Sequence, residues 1–443
     1  MKLFYFLLLF SMVAFGADSQ KLQNPKKNQN LTTPNNAKQA PSTTQAKNPS
    51  VMSVDEFIQR IEHNSIALAK SKAYGKALVY EGKAQRAWNS PYIDLQTQQT
   101  SSPSGGKELE SEVYLMLAPR LPWVSSILSQ MYQTRQKRQD KSYELTKRLS
   151  IISSKRLYLE YLAQKEQLSV FEDRLKNAKE QLDIAEVRYN AGRISKSQYL
   201  FFKSDYLSVQ FLVQNSKKIL ANTLNALKVA LGIVGESDDI VVENLEFTYL
   251  NLKQEDVKEY LKNSLYLEIV GLDIEDYSNS AKFASRSRFD SVEIGVGASV
   301  AESTTGAGVK LKIPFPLTTK YGNQKAMYLA LQSGSLRESE ILQESLQSNA
   351  LSFLSQLELK RNAIALARSD EENKRALAEI SRIGYEAGKT SVFEYLTTKN
   401  NHLDSMITTI EAKKDYANTL ALLEESLALV LALPHSQDQK AQK

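Results

Sequence analysis

The sequence predicts a mainly α-helical chain with a small β part, written as two homologous halves that each hold a β-hairpin and a long coiled-coil helical hairpin. Three observations predict it. The stretch RYNAGRISKSQYL at Arg188 to Leu200 is echoed 196 positions later by GYEAGKTSVFEYL at Gly384 to Leu396. Leu168, Phe171, Leu175, Ala178, Leu182, Ala185 and Tyr189 step by 3 and 4, the spacing of a coiled-coil seam. Four short stretches alternate apolar and polar residues with period two, as half-covered strands do.

The repeat fixes the halves. Tyr189 to Leu231 aligns with Tyr385 to Leu427 without a gap, and 16 of the 43 pairs are identical. The offset of 196 still matches Val113, Leu115 and Leu121 to Val309, Leu311 and Leu317, while Asn64-Ser65 meets Asn263-Ser264 at 199. Three extra residues therefore lie between about Leu95 and Val113 in the first copy, where a loop tolerates them. A unit this long is not a solenoid repeat, whose periods run about 20 to 50 residues. It is a duplicated half, giving expected segments 51–240 and 241–434.

Neither proline nor glycine interrupts Trp123 to Tyr189, so one helix of about 100 Å is expected, with a return helix from Ser195 to Gly232. Gly192 and Gly388 stand where a helix ends in a left-handed residue, and Ser195 and Ser391 where the next helix wants an N-cap. Gln198 and Glu394, three residues on, complete capping boxes, with Ile194 and Tyr199 as a hydrophobic staple in the first copy. Residues 189–198 and 385–394 are thus hairpin tips. Tyr189 also continues the seam, so core packing accounts for it as well as a contact role does.

Strands are expected at about 91–100, 110–118, 291–301 and 307–315. Ile93 and Leu95 alternate with Asp94 and Gln96, Val113, Leu115 and Leu117 with Tyr114 and Met116, Val292 to Val300 with Glu293 and its neighbours, and Val309, Leu311 and Ile313 with Lys310 and Lys312. Prolines at Pro91, Pro119, Pro122, Pro314 and Pro316 mark the passages between strand and helix. Four strands cannot close a barrel, and open edges do not sit in lipid, so strands in a membrane would need several chains to share one barrel. A lysine facing lipid costs about 2 to 4 kcal/mol at the midplane. Asp94, Glu293, Lys310 and Lys312 are therefore expected on a water-filled lumen.

Composition narrows the class. With 17 glycines and 11 prolines in 443 residues, long regular elements are expected. Residues 1–16 read as a secretory signal, with a lysine, an apolar run and small residues at Ala14 to Ala17. Residues 17–50 form a polar Lys/Asn-rich tail expected to be disordered, and 435–443 a flexible end. Six lysines in residues 1–50 oppose Asp18 alone, so most of the net charge of +6 is tail and no basic face for nucleic acid is left. There is no cysteine, hence no disulfide, thiolate or lipidated cysteine. His63, His402 and His435 do not share metal-ligand spacing, no phosphate loop or nucleophile elbow occurs, and Asp238-Asp239 and Glu424-Glu425 read as pairs on solvated helix ends. No enzyme activity, cofactor or metal is expected.

The signal segment, the two halves, the strand pair before each long helix and above all Y-x-A-G-x-x-S-x-x-[QE]-Y-L at both tips resemble the TolC-like outer-membrane efflux proteins, the outer membrane factors, over roughly Ser53 to Pro434. The resemblance implies a homotrimer in outer-membrane lipid, with a twelve-stranded transmembrane barrel continued by a periplasmic α-helical barrel. It implies an exit duct for an inner-membrane efflux pump, joined through a periplasmic adaptor (membrane fusion) protein. The implied adaptor contacts are Tyr189, Gly192, Arg193 and Ser195 in one half and Tyr385, Gly388, Lys389 and Ser391 in the other. The family often has an aspartate where Gln198 and Glu394 stand, so an acidic and basic gate would be thinner here, with Glu394 and Arg193 or Lys389 as its remnant. The rival readings are a periplasmic coiled-coil adaptor or structural protein, and an exported enzyme; drugs, metal ions and secreted proteins all stay open as cargo.

Overall fold

The computed structural model describes residues 50–101, 107–233, 239–290, 292–301, 304–315 and 317–431. The expected signal segment, the tail, residues 435–443, Asp238 and Pro316 lie outside the described residues. The first half runs β1 (Ser50–Met52), α1 (Val54–Asn64), α2 (Ile66–Arg86), β2 (Asn89–Ser101), β3 (Lys107–Ala118), α3 (Pro122–Asn190) and α4 (Lys196–Leu231). The second runs β4 (Ile240–Val242), α5 (Gln254–Lys262), α6 (Leu265–Arg286), β5 (Glu293–Val300), β6 (Thr305–Lys312), α7 (Lys320–Glu386) and α8 (Val392–Leu427). At 69 and 67 residues, α3 and α7 are each about 100 Å long, as the unbroken helix-forming run requires.

Local chemistry sets the boundaries. Ser53 and Ser65 accept hydrogen bonds from the backbone N–H of Glu56 (3.2 Å) and Leu68 (3.3 Å), starting α1 and α2. Pro122 opens α3 at its first position, where no N–H is needed. Pro91 is a correction: it lies inside β2, at a register shift between Asn89 and Tyr92, the bulge in which a strand accommodates a residue without an N–H.

Strands β2, β3, β5 and β6 form one antiparallel sheet in that order, so each half contributes a hairpin and the two join through β3 and β5. Toward the sheet, α2, α3, α6 and α7 lie side by side; toward the tips the order is α4, α3, α8, α7. The two long helices span both layers. The shorter ones follow end to end, with the Asn64 amide donating to the Leu231 carbonyl (3.0 Å) where α1 meets the end of α4.

The expected seam is present: Ala178 and Ala185 are buried, Leu168, Phe171, Leu175 and Leu182 half-buried, and Tyr189 exposed. A second stripe on α3, missed by the sequence reading, faces α8. Val170 packs with Leu403 and Ile410, Asn177 donates to Asn400 (3.1 Å), and Arg174 pairs with Asp404.

A middle layer was also not foreseen. Strands β1 and β4 pair in parallel, and with Phe57, Ile61, Tyr158, Leu227 and Leu231 they enclose a core against α3 and α4. The Tyr158 hydroxyl accepts the Val242 N–H (2.8 Å), and in the other half the Tyr416 hydroxyl accepts the Leu250 N–H (2.9 Å). Between the two cores lies the chief correction to the sequence reading. Glu424 is not on a solvated end: it is wholly buried, paired with buried Lys155 at 2.5 Å and accepting the Leu431 N–H at 2.7 Å. Asp239 is likewise held, by the Tyr161 hydroxyl and by Lys165 at 2.6 Å. Burial opposes its ionisation, but the bonds from Lys165 and Tyr161 hold its carboxyl below the usual range.

Removing one partner of a buried pair strands the other charge, so Lys155→Met is expected to destabilise the protein by about 3 to 5 kcal/mol. Adding Glu424→Leu should recover most of that loss. Denaturant unfolding of the full-length protein measures both; equal stability of wild type and single variant would refute the assignment.

Candidate functional site

The sheet has two unlike faces. On one, Ile93, Leu115, Val296 and Val309 fall in a single cross-strand row, flanked by Leu95, Val113, Ile294 and Leu311, and all eight are exposed, Val309 at 75%. No other element of the described residues covers them. On the opposite face the four predicted polar residues come together as two ion pairs, Lys310 with Asp94 at 2.9 Å and Lys312 with Glu293 at 3.3 Å. The Tyr92 hydroxyl donates to Glu293 (2.5 Å), and the Lys310 ammonium lies 5.2 Å from the Tyr114 ring centre.

The sequence reading placed Tyr114 and Met116 on this face without giving them a role. They lie flat on the wall because β5 has glycine beneath them. A Cβ on Gly295 would come within 2.2 Å of the Met116 sulfur, and one on Gly297 within 2.6 Å of the Tyr114 ring. The alternation of Gly295 and Gly297 with Val296 carried this signal.

The tips are built largely as expected. Gly192 and Gly388 have φ of +69° and +71°, and each closes its helix. Ser195 accepts the Gln198 N–H (3.3 Å) while the Gln198 side chain accepts the Ser195 N–H (2.9 Å), a complete capping box. In the second tip only half of it forms. Ser391 accepts the Glu394 N–H (3.2 Å), but the Glu394 carboxylate is exposed and does not return to the cap. Tyr199 stacks on Tyr189, ring centres 5.2 Å apart, and Tyr395 stacks on Tyr385 at 5.6 Å. These second tyrosines were in the motif yet absent from the candidate residues.

Arg193 and Lys389 are exposed, and neither pairs with Glu394. The link between the hairpins lies elsewhere. The Arg188 guanidinium sits 4.8 Å over the Phe393 ring, which stacks at 4.8 Å on Phe202. The sequence held a clue, because these three sit where the repeat breaks: Arg188 answers to Gly384, Phe202 to Thr398 and Phe393 to Ser197.

Among the described residues no group of three or more His, Cys, Asp or Glu is arranged to hold a metal ion. His402 is half-buried, and burial pushes its imidazole below the ordinary value. No helix of the described residues is long and apolar enough to cross a membrane.

No family model matches the chain. No curated protein matches it either. Solved structures do. VceC, an outer membrane protein of Vibrio cholerae, is 11% identical with a TM-score of 0.65 over 85% of this chain and 96% of its own. The CmeC outer membrane channel of Campylobacter jejuni is 13% identical with a TM-score of 0.64 over 93% and 97%. CusC, described for its transmembrane channel formation, is 14% identical with a TM-score of 0.67 over 89% and 99%. The chain has the TolC-like outer-membrane-factor fold. In that fold the sheet and the tips are opposite ends of one helical body, so the two candidate sites are separated by the length of α3.

Because no heavy atom lies within 4 Å of a Cβ on Gly388, substitution there is opposed by backbone conformation and not by space. Gly388→Val should destabilise the tip by about 1 to 2 kcal/mol, while Gly388→Asn, which tolerates the left-handed region, should cost less. Hydrogen exchange at the amides of Tyr385 to Tyr395 distinguishes them; equal exchange in both variants would overturn the conformational account.

Proposed function

We propose that this protein is the outer-membrane channel of a tripartite efflux or secretion system, acting as a trimeric duct across the periplasm and outer membrane. The observation that carries the reading is the sheet, with a bare apolar face, a charged opposite face and two open edges at β2 and β6. Lipid is the cover that such a face fits, and an open edge in lipid costs several kcal/mol per unpaired group. Joining β6 of one copy to β2 of the next removes the edges, and three copies give twelve strands.

The helices support the same ring. On one flank α7 exposes Leu359, Leu366, Leu377 and Ile380; on the other α4 exposes Leu200, Leu207, Phe211 and Ile219. Two different faces that seek each other make a head-to-tail contact, which closes into a ring when the rotation permits. The Asp94–Lys310 and Glu293–Lys312 pairs then line water. The exposed tips around Gly192 and Gly388, with their stacked tyrosines, offer rigid surfaces to an adaptor that connects to an inner-membrane pump. Arg188, Phe393 and Phe202 form the clasp of the periplasmic mouth. The efflux-channel role is consistent with solved relatives that are outer-membrane channels. The adaptor reading requires the apolar sheet face to stand in water, and no observation favours it.

Membrane extraction tests the proposal directly. The protein should require detergent, run as a trimer and give stepwise conductance in planar bilayers. Release by carbonate as a monomer would end the reading. Phe393→Ala removes both contacts of the clasp, each worth about 0.5 to 2 kcal/mol, and should raise single-channel conductance. Unchanged conductance would remove the clasp from the mouth.

A further inference from the structure

The register places the start of β2, the end of β3, the start of β5 and the end of β6 at one end of the sheet, so all four passages between strand and helix share a level. Exposed aromatic side chains mark it: Trp88, Trp123, Phe289 and Phe315. Just on the helical side stand Arg86, Arg286, Arg288 and Lys320, all exposed.

These cations differ from three arginines of α3 that face other helices. On α3, Arg135, Arg138 and Arg174 each meet an aspartate of a neighbouring helix. At the junction Asp290 is taken by Arg120 and Glu293 by Lys312. Among the described residues Arg286 donates only to the Trp123 carbonyl (3.3 Å) and Arg86 to Ser129 (3.1 Å) and the Gly82 carbonyl (3.1 Å), and no carboxylate pairs with Arg288 or Lys320. An unneutralised basic band directly beside an aromatic one has the profile of a lipid leaflet met from the acyl chains outward: apolar, then amphipathic, then anionic.

We propose that this collar binds the headgroups of anionic phospholipids in the periplasmic leaflet, with the guanidinium groups on phosphate and the aromatic rings at the ester level. The inference rests on the reading of the sheet as membrane-spanning. It commits to lipid because the cations follow the aromatic band at every one of the passages that carries them, whereas an acidic protein partner would not need the rings.

The test uses the full-length detergent-solubilised protein titrated with phosphatidylglycerol and, separately, phosphatidylcholine, with bound lipid counted by native mass spectrometry. Phosphatidylglycerol should bind preferentially. The triple variant R286Q/R288Q/K320Q should bind it about a hundredfold more weakly, three surface cations being lost. Equal binding of the two lipids, or full retention by the triple variant, would overturn the proposal. So would displacement of phosphatidylglycerol by inorganic phosphate at equal concentration, which would mark a simple anion site. A triple variant that no longer associates would assign the cations to contacts between copies and would also overturn it. If the wild type proves extractable without detergent, the membrane reading itself fails, an outcome distinct from all of these.

Discussion

Backbone hydrogen bonding is the constraint on which the rest of this architecture turns. A sheet ordered β2, β3, β5, β6 leaves one row of N–H and C=O groups unpaired at each end, and its apolar face meets no element of the described residues. In water such a face is an association hazard; in lipid the open rows are the expensive part. The same chain extends the problem along its helices, since α4 and α7 each leave an apolar stripe without a partner among the described residues. Sheet edges and helix stripes occur on the same two flanks, so a single head-to-tail contact would satisfy both. The ion pairs on the opposite face of the sheet fit the same arrangement, because they place charges where the proposed assembly would keep water.

Within one chain the long helices need a second kind of control. A uniform apolar seam allows neighbouring helices to slide by a heptad, and about 100 Å of helix offers many such registers. The α3–α8 contact instead carries Lys155–Glu424, Arg174–Asp404 and Asn177–Asn400. The α3–α6 contact carries Arg135–Asp276 and Lys141–Glu268, the latter at 2.8 Å. Each pair is satisfied at only one axial offset, and for Lys155 and Glu424 a mismatch would leave charges buried. Such pairs add little net stability over an apolar replacement. Their contribution here is alignment, which holds the sheet at one end and the tips at the other in a fixed relation.

What the sequence made legible was whatever depends on neighbours a few residues away. The caps at Ser195 and Ser391, the left-handed glycines, the seam through Ala178 and Ala185, and the alternation that separates Ile93 from Asp94 are all local patterns, and all are present in the fold. The misses depend on partners far away in the chain. Glu424 beside Glu425 looks solvated until Lys155, 269 positions earlier, is brought against it. The β1–β4 ribbon joins two three-residue segments that have no periodicity to detect. Helix α2 is hard to read because Ile66, Tyr74, Val79 and Tyr80 point outward while its buried stripe is split between Leu68 and Leu78 and two glycines, Gly75 and Gly82, which blurs the apolar periodicity. At the candidate gate, the family pattern directed attention to Gln198 and Glu394, whereas the contact between the two tips uses residues that the repeat does not share.

That last difference bears on how the two tips of the proposed duct can move. If both tips were fastened alike, opening would have to break equivalent contacts in both halves. They are not alike. The first tip is locked by a complete capping box at Ser195 and Gln198, while the second has only the serine half and leaves Glu394 in solvent. Both retain a stacked tyrosine pair, so each tip is a rigid unit on its own. The two units are tied by one group of side chains, with Phe393 of the second held between Arg188 and Phe202 of the first. A cation over a ring and a ring on a ring are short-range contacts that fail within an ångström or two of separation, unlike a long-range ion pair. In the proposed duct this makes the second hairpin the moving part and the first its frame. It also makes release at the mouth abrupt, because neither contact weakens gradually with distance.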